Sequence, residues 1–161
     1  MSLTFDVREL VRIAIIDERS GVQLYRKLAD QVQTGRLRDR FRLMAEQERR
    51  HEERFEELLK GLPESAEIYK HPDEYVAYLE ALVAEGRLRE QSSRGSGAAQ
   101  CLDDLAAINT AMEFERNQLG LMNEMSEVLG ETENAVVKEI IAEEREHLVT
   151  LSSAKRELLG A

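Results

Sequence analysis

Residues 41–55 read FRLMAEQERRHEERF, a charged segment in which Glu48 stands three positions before His51. On a helix, residues spaced alternately three and four apart share one face. That face is apolar at both ends and polar in the middle, because it holds Phe41, Met44, Glu48, His51, Phe55 and Leu58. The segment predicts a helix that faces a core and carries a glutamate and a histidine about one turn apart.

Three further segments repeat this pattern, so four long helices are predicted. They run from about Asp6 to Val32, Arg36 to Lys60, Leu102 to Leu129 and Glu131 to Leu159. The core-facing stripes of the other three are Val11, Ala14, Glu18, Gly21, Tyr25 and Leu28; Ile108, Ala111, Glu115, Gln118, Met122 and Met125; and Val137, Ile140, Glu144, His147, Leu151 and Ala154. Each stripe has a glutamate at its centre, and two of the four add a histidine three positions later.

The connections between these segments predict how they pack. The turns at 33–35 and at Gly130 are short, so residues 6–60 and 102–159 are expected to form two antiparallel hairpins. The connection over 62–100 is long, with a short helix from Pro72 to Gly86 and a flexible stretch at 91–97. Two hairpins joined by a long crossover predict an all-α, ferritin-like four-helix bundle, with residues 1–161 in a single domain.

Composition argues against several classes of protein. The 161-residue chain has a formal net charge of −10, and its lack of a basic stripe disfavours nucleic acid as a partner. The sequence shows neither a signal peptide nor an apolar run as long as a membrane span, so we expect a cytoplasmic protein with no membrane partner. The single cysteine, Cys101, excludes an intrachain disulfide and a four-cysteine metal site. We expect it to be a small, partly buried residue.

The two hairpins also resemble each other in sequence. Equivalent residues lie at nearly the same offset, which is 97 positions for Glu18 and Glu115 and 96 positions for Glu48 and Glu144 and for His51 and His147. Two related hairpins that face each other across a pseudo-two-fold axis would bring these six side chains to one level of the core.

Six such side chains at one level of a core call for a metal. Burying an ionised carboxylate without a partner is prohibitive, and four carboxylates would also repel one another. No stripe position supplies a lysine or arginine, whereas two divalent ions carry the positive charge that balances four glutamates. A glutamate on each of two helices, with Glu-x-x-His on each of the others, is the pattern of di-iron and di-manganese bundles. We expect one Glu-x-x-His pair per metal, with the remaining glutamates bridging or capping.

Other ionisable residues near the stripes are expected to be solvated. Five glutamates fall outside the core-facing positions, namely Glu46, Glu52, Glu53, Glu143 and Glu146. His71 lies in the crossover, and we expect it to be exposed rather than a metal ligand.

With these residues in place, the sequence resembles the rubrerythrin family of ferritin-like di-iron proteins. The resemblance rests on residues 14–18 (AIIDE) with Tyr25, 44–51 (MAEQERRH), 111–115 (AMEFE) and 141–147 (IAEEREH). It implies a di-iron centre whose ligands are Glu18, Glu48, His51, Glu115, Glu144 and His147. It also implies peroxide reduction or ferrous iron oxidation, a homodimer, and a hydrogen bond from Tyr25 to a ligand glutamate.

Three departures from the family bear on the reaction. One cysteine cannot supply the two Cys-x-x-Cys pairs of a rubredoxin domain, so electrons are expected from a separate donor. Gln118 stands where the family's peroxidases have an additional glutamate, and Met122 stands at the counterpart of Tyr25. The resemblance therefore implies the metal centre more strongly than it implies the reaction.

Three functions stay open at this point. The main hypothesis is a di-iron protein that reacts with peroxide or dioxygen. The same ligands accept zinc or manganese, in a binding or storage protein with negligible turnover. The third is a purely structural bundle whose inward glutamates are partly solvated.

Overall fold

A computed structural model of the chain describes residues 7–64 and 103–160, together with the single positions Ala77 and Ala81. Four α-helices make up this part of the chain: α1 (Val7–Gln31), α2 (Gly35–Gly61), α3 (Asp104–Val128) and α4 (Glu131–Leu159). The described residues contain no strand. The predicted four-helix, all-α architecture is confirmed. Apart from the two single positions, the predicted crossover helix lies outside the described residues, as do the stretch at 91–97, His71 and Cys101.

The helix ends follow from local hydrogen bonds. The Asp103 side chain accepts a hydrogen bond from the backbone N–H of Ala106 at 2.6 Å, so α3 begins two residues later than predicted, at Asp104. At the end of α2, Arg8 of α1 donates to the carbonyl oxygens of Leu59 at 3.3 Å and Leu62 at 2.7 Å. These carbonyls belong to a helix end, where intrahelical donors run out.

The first residue of α3 is hydrogen-bonded to the turn between α1 and α2. The Asp104 carboxylate accepts hydrogen bonds from the backbone N–H groups of Gln33 at 2.7 Å and Thr34 at 3.1 Å, and from the Thr34 hydroxyl. These bonds lower the pKa of Asp104 even though its burial acts in the opposite direction. One carboxylate thus links the two hairpins.

The helices pack as two antiparallel hairpins whose long sides meet. Helix α1 packs on α2 and α3, and α4 packs on α3 and α2. The first turns of α1 share an apolar cluster with the last turns of α3, through Leu10 and Met125, so α1 and α3 run in opposite directions. Every residue of the four predicted stripes is buried except Leu58, which is partly buried against this cluster.

The core consists of two apolar clusters with a polar layer between them. One cluster contains Val11, Phe55, Met125 and Ile140. The other contains Leu28, Phe41, Ile108 and Leu151. In every helix the central glutamate falls between residues of the two clusters, so the four glutamates lie at one level. Within residues 7–64 and 103–160, no helix is both long and apolar enough to span a bilayer.

Candidate metal centre

The six predicted ligands meet in the polar layer. They come from all four helices because each stripe places its glutamate halfway along its helix. Their exposed fractions are 0%, except for 3% at His147: Glu18, Glu48, His51, Glu115, Glu144 and His147. The two imidazole rings lie with their centroids 5.9 Å apart. Four buried carboxylates and two buried imidazoles therefore face one small volume.

These side chains form two overlapping groups, each able to hold one ion. The ligand atoms within each group lie within 4.8 Å of one another; the groups are Glu18, Glu48, His51 and Glu144, and Glu48, Glu115, Glu144 and His147. Each group contains one Glu-x-x-His pair. Glu48 and Glu144 belong to both groups, whereas Glu18 and Glu115, which we expected to bridge or cap, belong to one group each. The carboxylates shared by the two groups are thus those of the Glu-x-x-His pairs.

Each histidine presents Nδ1 to carboxylates from more than one helix. The Nδ1 atom of His51 lies 2.6 Å from Oε1 of Glu144 and 3.7 Å from Oε2 of Glu18. The Nδ1 atom of His147 lies 2.7 Å from Oε2 of Glu144, 3.2 Å from Oε1 of Glu48 and 3.3 Å from Oε1 of Glu115. The Glu144 carboxylate therefore spans the two imidazoles, with one oxygen beside each.

Seven atoms of the cluster suit metal ions because they are buried and make no regular hydrogen bond among the described residues; the close contacts of the imidazole nitrogens are with carboxylates of the cluster itself. The seven atoms are Oε1 of Glu18, Oε1 of Glu48, Oε2 of Glu115, both carboxylate oxygens of Glu144, and Nδ1 of His51 and His147. A buried polar group without a partner costs about 1–3 kcal/mol, and a charged group costs more. Carboxylate oxygen and imidazole nitrogen are ligands that iron, manganese and zinc accept. The chain thus fits two metal ions at this level.

The remaining oxygens of three glutamates are bound by neutral donors. The Gln118 amide, Nε2, donates to Oε2 of Glu18 at 3.0 Å and to Oε2 of Glu48 at 3.1 Å. The Tyr25 hydroxyl donates to Oε1 of Glu115, and its ring stacks against Phe41 with a centroid distance of 5.8 Å. The contact between Tyr25 and a glutamate of the cluster is the one that the family resemblance implies.

Gly21 leaves the space in which the Glu48 carboxylate lies. A Cβ atom at position 21 would stand 2.7 Å from Oε2 of Glu48, closer than such contacts occur in proteins. Any side chain at this position would therefore displace the carboxylate or the helix.

Burial and the neighbouring charges shift the pKa values of these side chains strongly. Burial, together with the nearby Glu48 and Glu144 carboxylates, raises the pKa of Glu18 well above its usual value. Burial also raises the pKa of Glu115 to about 8, although the neighbouring His147 acts in the opposite direction. Burial disfavours the charged form of Glu144, but His147 and His51 outweigh it and lower the pKa of Glu144 to about 2. Among the side chains alone, the cluster therefore retains protons at neutral pH that bound cations would displace.

The pKa values of the two histidines are raised, whereas that of Glu144 is lowered. Burial acts to lower the pKa of His147, but the carboxylates of Glu115, Glu144 and Glu48 raise it to about 12. The pKa of His51 is raised as well, again against the effect of burial.

Glu143 has a contact that the sequence analysis missed. Its side chain is 47% exposed, as predicted for a solvated glutamate, yet its Oε2 lies 3.1 Å from Nε2 of His51. Its other oxygen accepts a hydrogen bond from Arg54 at 2.8 Å, and Arg54 also donates to Glu139 at 2.6 Å. A carboxylate on the outer nitrogen of a ligating histidine orients its ring. The contact joins α2 and α4, so the spacing of residues along one helix held no signal for it.

The other four glutamates predicted to be solvated stay away from the cluster. Glu46 and Glu53 pair with Arg49, Glu52 pairs with Arg19, and Glu146 is exposed. Glu46, Glu53 and Glu146 are exposed, as predicted, whereas the Glu52 side chain is only 17% exposed.

Comparisons with known proteins agree with this geometry. The rubrerythrin family model matches residues 9–155. No curated protein matches the sequence at a significant level. Among solved structures, one similar chain is described as a ferritin-like diiron-carboxylate protein from Thermotoga maritima. It has a TM-score of 0.71 and 22% sequence identity, covering 98% of this chain and 99% of that one. At this identity the likeness establishes the ferritin-like fold.

Proposed function

The chain belongs to the rubrerythrin family, and from this premise we propose that it binds two iron ions in the polar layer and uses their electrons to reduce peroxide or dioxygen. The observation that carries the proposal is the set of seven buried oxygen and nitrogen atoms that make no regular hydrogen bond in the described part of the chain and lie together in two groups of ligand geometry. A bundle stabilised by packing alone gains nothing from these atoms.

The two overlapping groups suggest how the ions would be held. Glu18 and His51 would hold one ion, Glu115 and His147 would hold the other, and Glu48 and Glu144 would be shared because both groups contain them. Two divalent ions balance the four carboxylates, so the filled site carries no net charge. A neutral site suits a layer enclosed between two apolar clusters, since uncompensated charge is expensive there.

An oxidant would need an open position on a bound ion, and open positions are what distinguish reactive metal sites from closed structural ones. Each group offers one ligand atom from each of four residues, fewer than the six of an octahedral site. Held by these residues, two ferrous ions would supply two electrons, which together with two protons would convert one hydrogen peroxide molecule into two water molecules.

The surrounding side chains would hold the centre in place during this chemistry. Tyr25 keeps its proton, because burial and the nearby Glu115 carboxylate raise its pKa well above its usual value. It therefore stays a hydrogen-bond donor to Oε1 of Glu115. On the other side, Glu143 and Arg54 connect Nε2 of His51 with the protein surface. The two apolar clusters keep water away above and below the layer.

Return of electrons to the centre requires a reductant. We propose that it acts from outside these 161 residues, because their single cysteine cannot supply two Cys-x-x-Cys pairs. Family membership is also the basis on which we propose a homodimer.

The proposal is tested by loading the metal-free protein with ferrous iron under anaerobic conditions. We expect two iron ions per chain by elemental analysis. One equivalent of hydrogen peroxide then consumes both ferrous ions, measured as the loss of the coloured complex with a ferrous chelator. Parallel addition of dioxygen shows which oxidant reacts faster.

Matched variants make this test specific. Glu144→Ala removes a carboxylate shared by both groups, whereas Glu146→Ala removes an exposed one two residues away. Absence of bound iron in a folded, helical wild-type protein would overturn the metal centre and favour the structural bundle.

Zinc or manganese is the competing occupant. A group of four nitrogen and oxygen ligand atoms suits four-coordinate zinc as well as iron. Two zinc ions per chain that resist replacement by ferrous iron would favour a binding or storage protein. Bound iron that reacts with neither oxidant would favour the same conclusion.

A further inference from the structure

Gly21 is a buried glycine in the interior of α1, and the backbone does not require a glycine there. Among the described residues only Gly160 has a positive φ, so position 21 has a helical conformation that any residue with a side chain adopts. Glycine is among the least favourable residues inside a helix, whereas alanine is the most favourable. The presence of glycine must therefore be explained by the space that its missing side chain leaves free.

The space beside Gly21 holds the side chain of Glu48, which projects from α2. A Cβ atom at position 21 would stand 2.7 Å from Oε2 of Glu48 and 3.1 Å from both its Cδ and its Cγ. Real Cβ atoms essentially never approach another heavy atom within 3.0 Å. The three nearest atoms all belong to one side chain, so a methyl group at position 21 would conflict with Glu48 first.

Glu48 has little freedom to avoid such a methyl group. Its side chain is fully buried, its Oε2 accepts a hydrogen bond from Gln118 at 3.1 Å, and its Oε1 lies 3.2 Å from Nδ1 of His147. The carboxylate therefore lies between α1 on one side and a histidine of α4 on the other. A methyl group at position 21 would push it off α1, the helix that carries Glu18.

The position of Glu48 matters for both groups of candidate ligands. Glu48 and Glu144 are the two residues that belong to both groups. In the second hairpin the position that matches Gly21 holds Gln118, so the glycine is not part of the sequence repeat. A displacement of Glu48 would change the distances between ligand atoms in both groups at once.

We propose that Gly21 is a positioning residue, whose missing side chain lets the Glu48 carboxylate lie against α1 and serve both metal ions. This inference rests on the proposed binding of two ions, though not on the proposed reaction with an oxidant. Its steric part, the conflict between a side chain at position 21 and Glu48, applies to the metal-free protein as well.

Gly21→Ala tests the inference, and Gly120→Ala is its matched control. Gly120 also lies inside a helix, α3, but a Cβ atom there would meet nothing within 4 Å. The metal-free proteins are titrated with ferrous iron under anaerobic conditions, in competition with a ferrous chelator. We expect Gly21→Ala to bind iron about 10- to 100-fold more weakly than the wild type, because a ligand loses its position. Gly120→Ala is expected to match the wild type.

Urea unfolding of the metal-free proteins identifies the residue with which the methyl group conflicts. Glu48→Ala removes all three atoms that the methyl group would meet. Gly21→Ala is expected to lower the urea midpoint of the wild type, because the steric conflict exceeds the gain in helix propensity. In the Glu48→Ala background the same substitution is expected to raise the midpoint, as Gly120→Ala does in the wild type. Such a change of sign assigns the conflict to Glu48.

Unchanged iron binding by Gly21→Ala would overturn the inference, as would an equal loss of affinity in Gly120→Ala. Equal midpoint shifts in the two backgrounds would also overturn it, since the conflict would then involve something other than Glu48. Should Gly21→Ala fail to fold by circular dichroism, the double variant with Glu48→Ala decides. Recovery of the fold supports the inference, and continued failure overturns it.

The same titration separates this inference from the proposed function. A folded wild type that binds no iron would overturn the inference together with the metal centre. A wild type whose bound iron never reacts with an oxidant would leave the inference standing and remove only the proposed reaction.

Discussion

The two hairpins carry equivalent glutamates and histidines, but the side chains that contact these residues differ. In the first hairpin, formed by α1 and α2, Glu18 is followed by Gly21 three residues later and by Tyr25 seven residues later. In the second hairpin, formed by α3 and α4, the matching positions hold Gln118 and Met122. Gln118 and Tyr25 each donate to glutamates of the opposite hairpin. The glutamates and histidines of the cluster are therefore repeated, whereas the side chains that donate to them are not.

The two histidines differ in the same way. Nε2 of His51 contacts Glu143, which is 47% exposed. Nε2 of His147 is buried and has no hydrogen-bond partner in the part of the chain that the structure describes. The residue equivalent to Glu143 in the first hairpin is Gln47, an amide rather than a carboxylate. Two ions held by a repeated ligand set would thus lie in different surroundings.

The sharpest test of this comparison removes a shared and an unshared carboxylate. Glu144 contributes to both groups and Glu115 to one, so Glu144→Ala is expected to lose both ions and Glu115→Ala only one. Glu53→Ala, at an exposed position, is expected to keep both. Elemental analysis of metal per chain measures the three results. Equal metal content in all three variants would show that the ligands are assigned wrongly.

The difference between the histidines predicts a smaller effect. Glu143→Ala removes the contact to Nε2 of His51, and loss of such an outer partner lowers metal affinity by about 10- to 100-fold. Only the ion of the group that contains His51 is expected to be affected, so a metal titration separates into two steps. Glu146→Ala is the control. An equal loss of affinity in both variants would point to a general effect of surface charge.

The hydroxyl of Tyr25, in the first hairpin, is expected to stabilise the metal-free protein. Tyr25→Phe leaves Oε1 of Glu115 without its donor, and this is expected to destabilise the metal-free protein by about 1–3 kcal/mol. Met122→Leu, at the matching position, changes no hydrogen bond and is expected to cost about 1.5 kcal/mol or less. Urea unfolding of both variants checks the contrast. A larger loss for Met122→Leu would mean that packing, rather than the hydrogen bond, dominates at these positions.

The pH dependence of the metal-free protein is expected to be modest and to have a defined sign. The pKa of Glu115 is raised to about 8 and that of His147 to about 12, so both groups favour the folded state more at low pH. Their contribution is lost as pH rises from the unfolded values towards these folded values. We therefore expect stability to fall between pH 5 and pH 9 by about 1 kcal/mol or more, which is about 2–4 °C in Tm for a chain of this size.

Bound metal is expected to reverse this trend, because metal binding displaces the protons of its ligands. Thermal unfolding at several pH values, with and without zinc, distinguishes the two states. A metal-free protein that becomes more stable towards pH 9 would contradict the charge arrangement of the cluster.

Local spacing explains why the helices and the six buried residues could be predicted. Helical periodicity is set by the backbone, so Glu48 and His51 had to share a face wherever the helix packed. The stripe positions also decided burial, and Leu58 at the end of α2 is the member that stays partly exposed. The start of α3 moved because Asp103 caps it, a local detail that the apolar pattern does not contain.

The relations between helices could not be obtained in this way. Which carboxylates are shared depends on the relative height and rotation of the four helices, so Glu48 and Glu144 could not be singled out from spacing. The contacts of Gln118 and Glu143 also join different helices. Both residues were noted in the sequence, but Glu143 was interpreted as a surface charge because its own helix places it outside the stripe.

The arrangement of the two apolar clusters has a consequence for folding cooperativity. Each helix contributes residues to both clusters, so neither hairpin possesses a core of its own. Separating the hairpins would expose both clusters and the charged layer in a single event. Hydrogen exchange of backbone amides near the middle of all four helices is therefore expected to report one common opening free energy, that of global unfolding. The whole bundle, rather than the hairpin repeated within it, is the unit that folds.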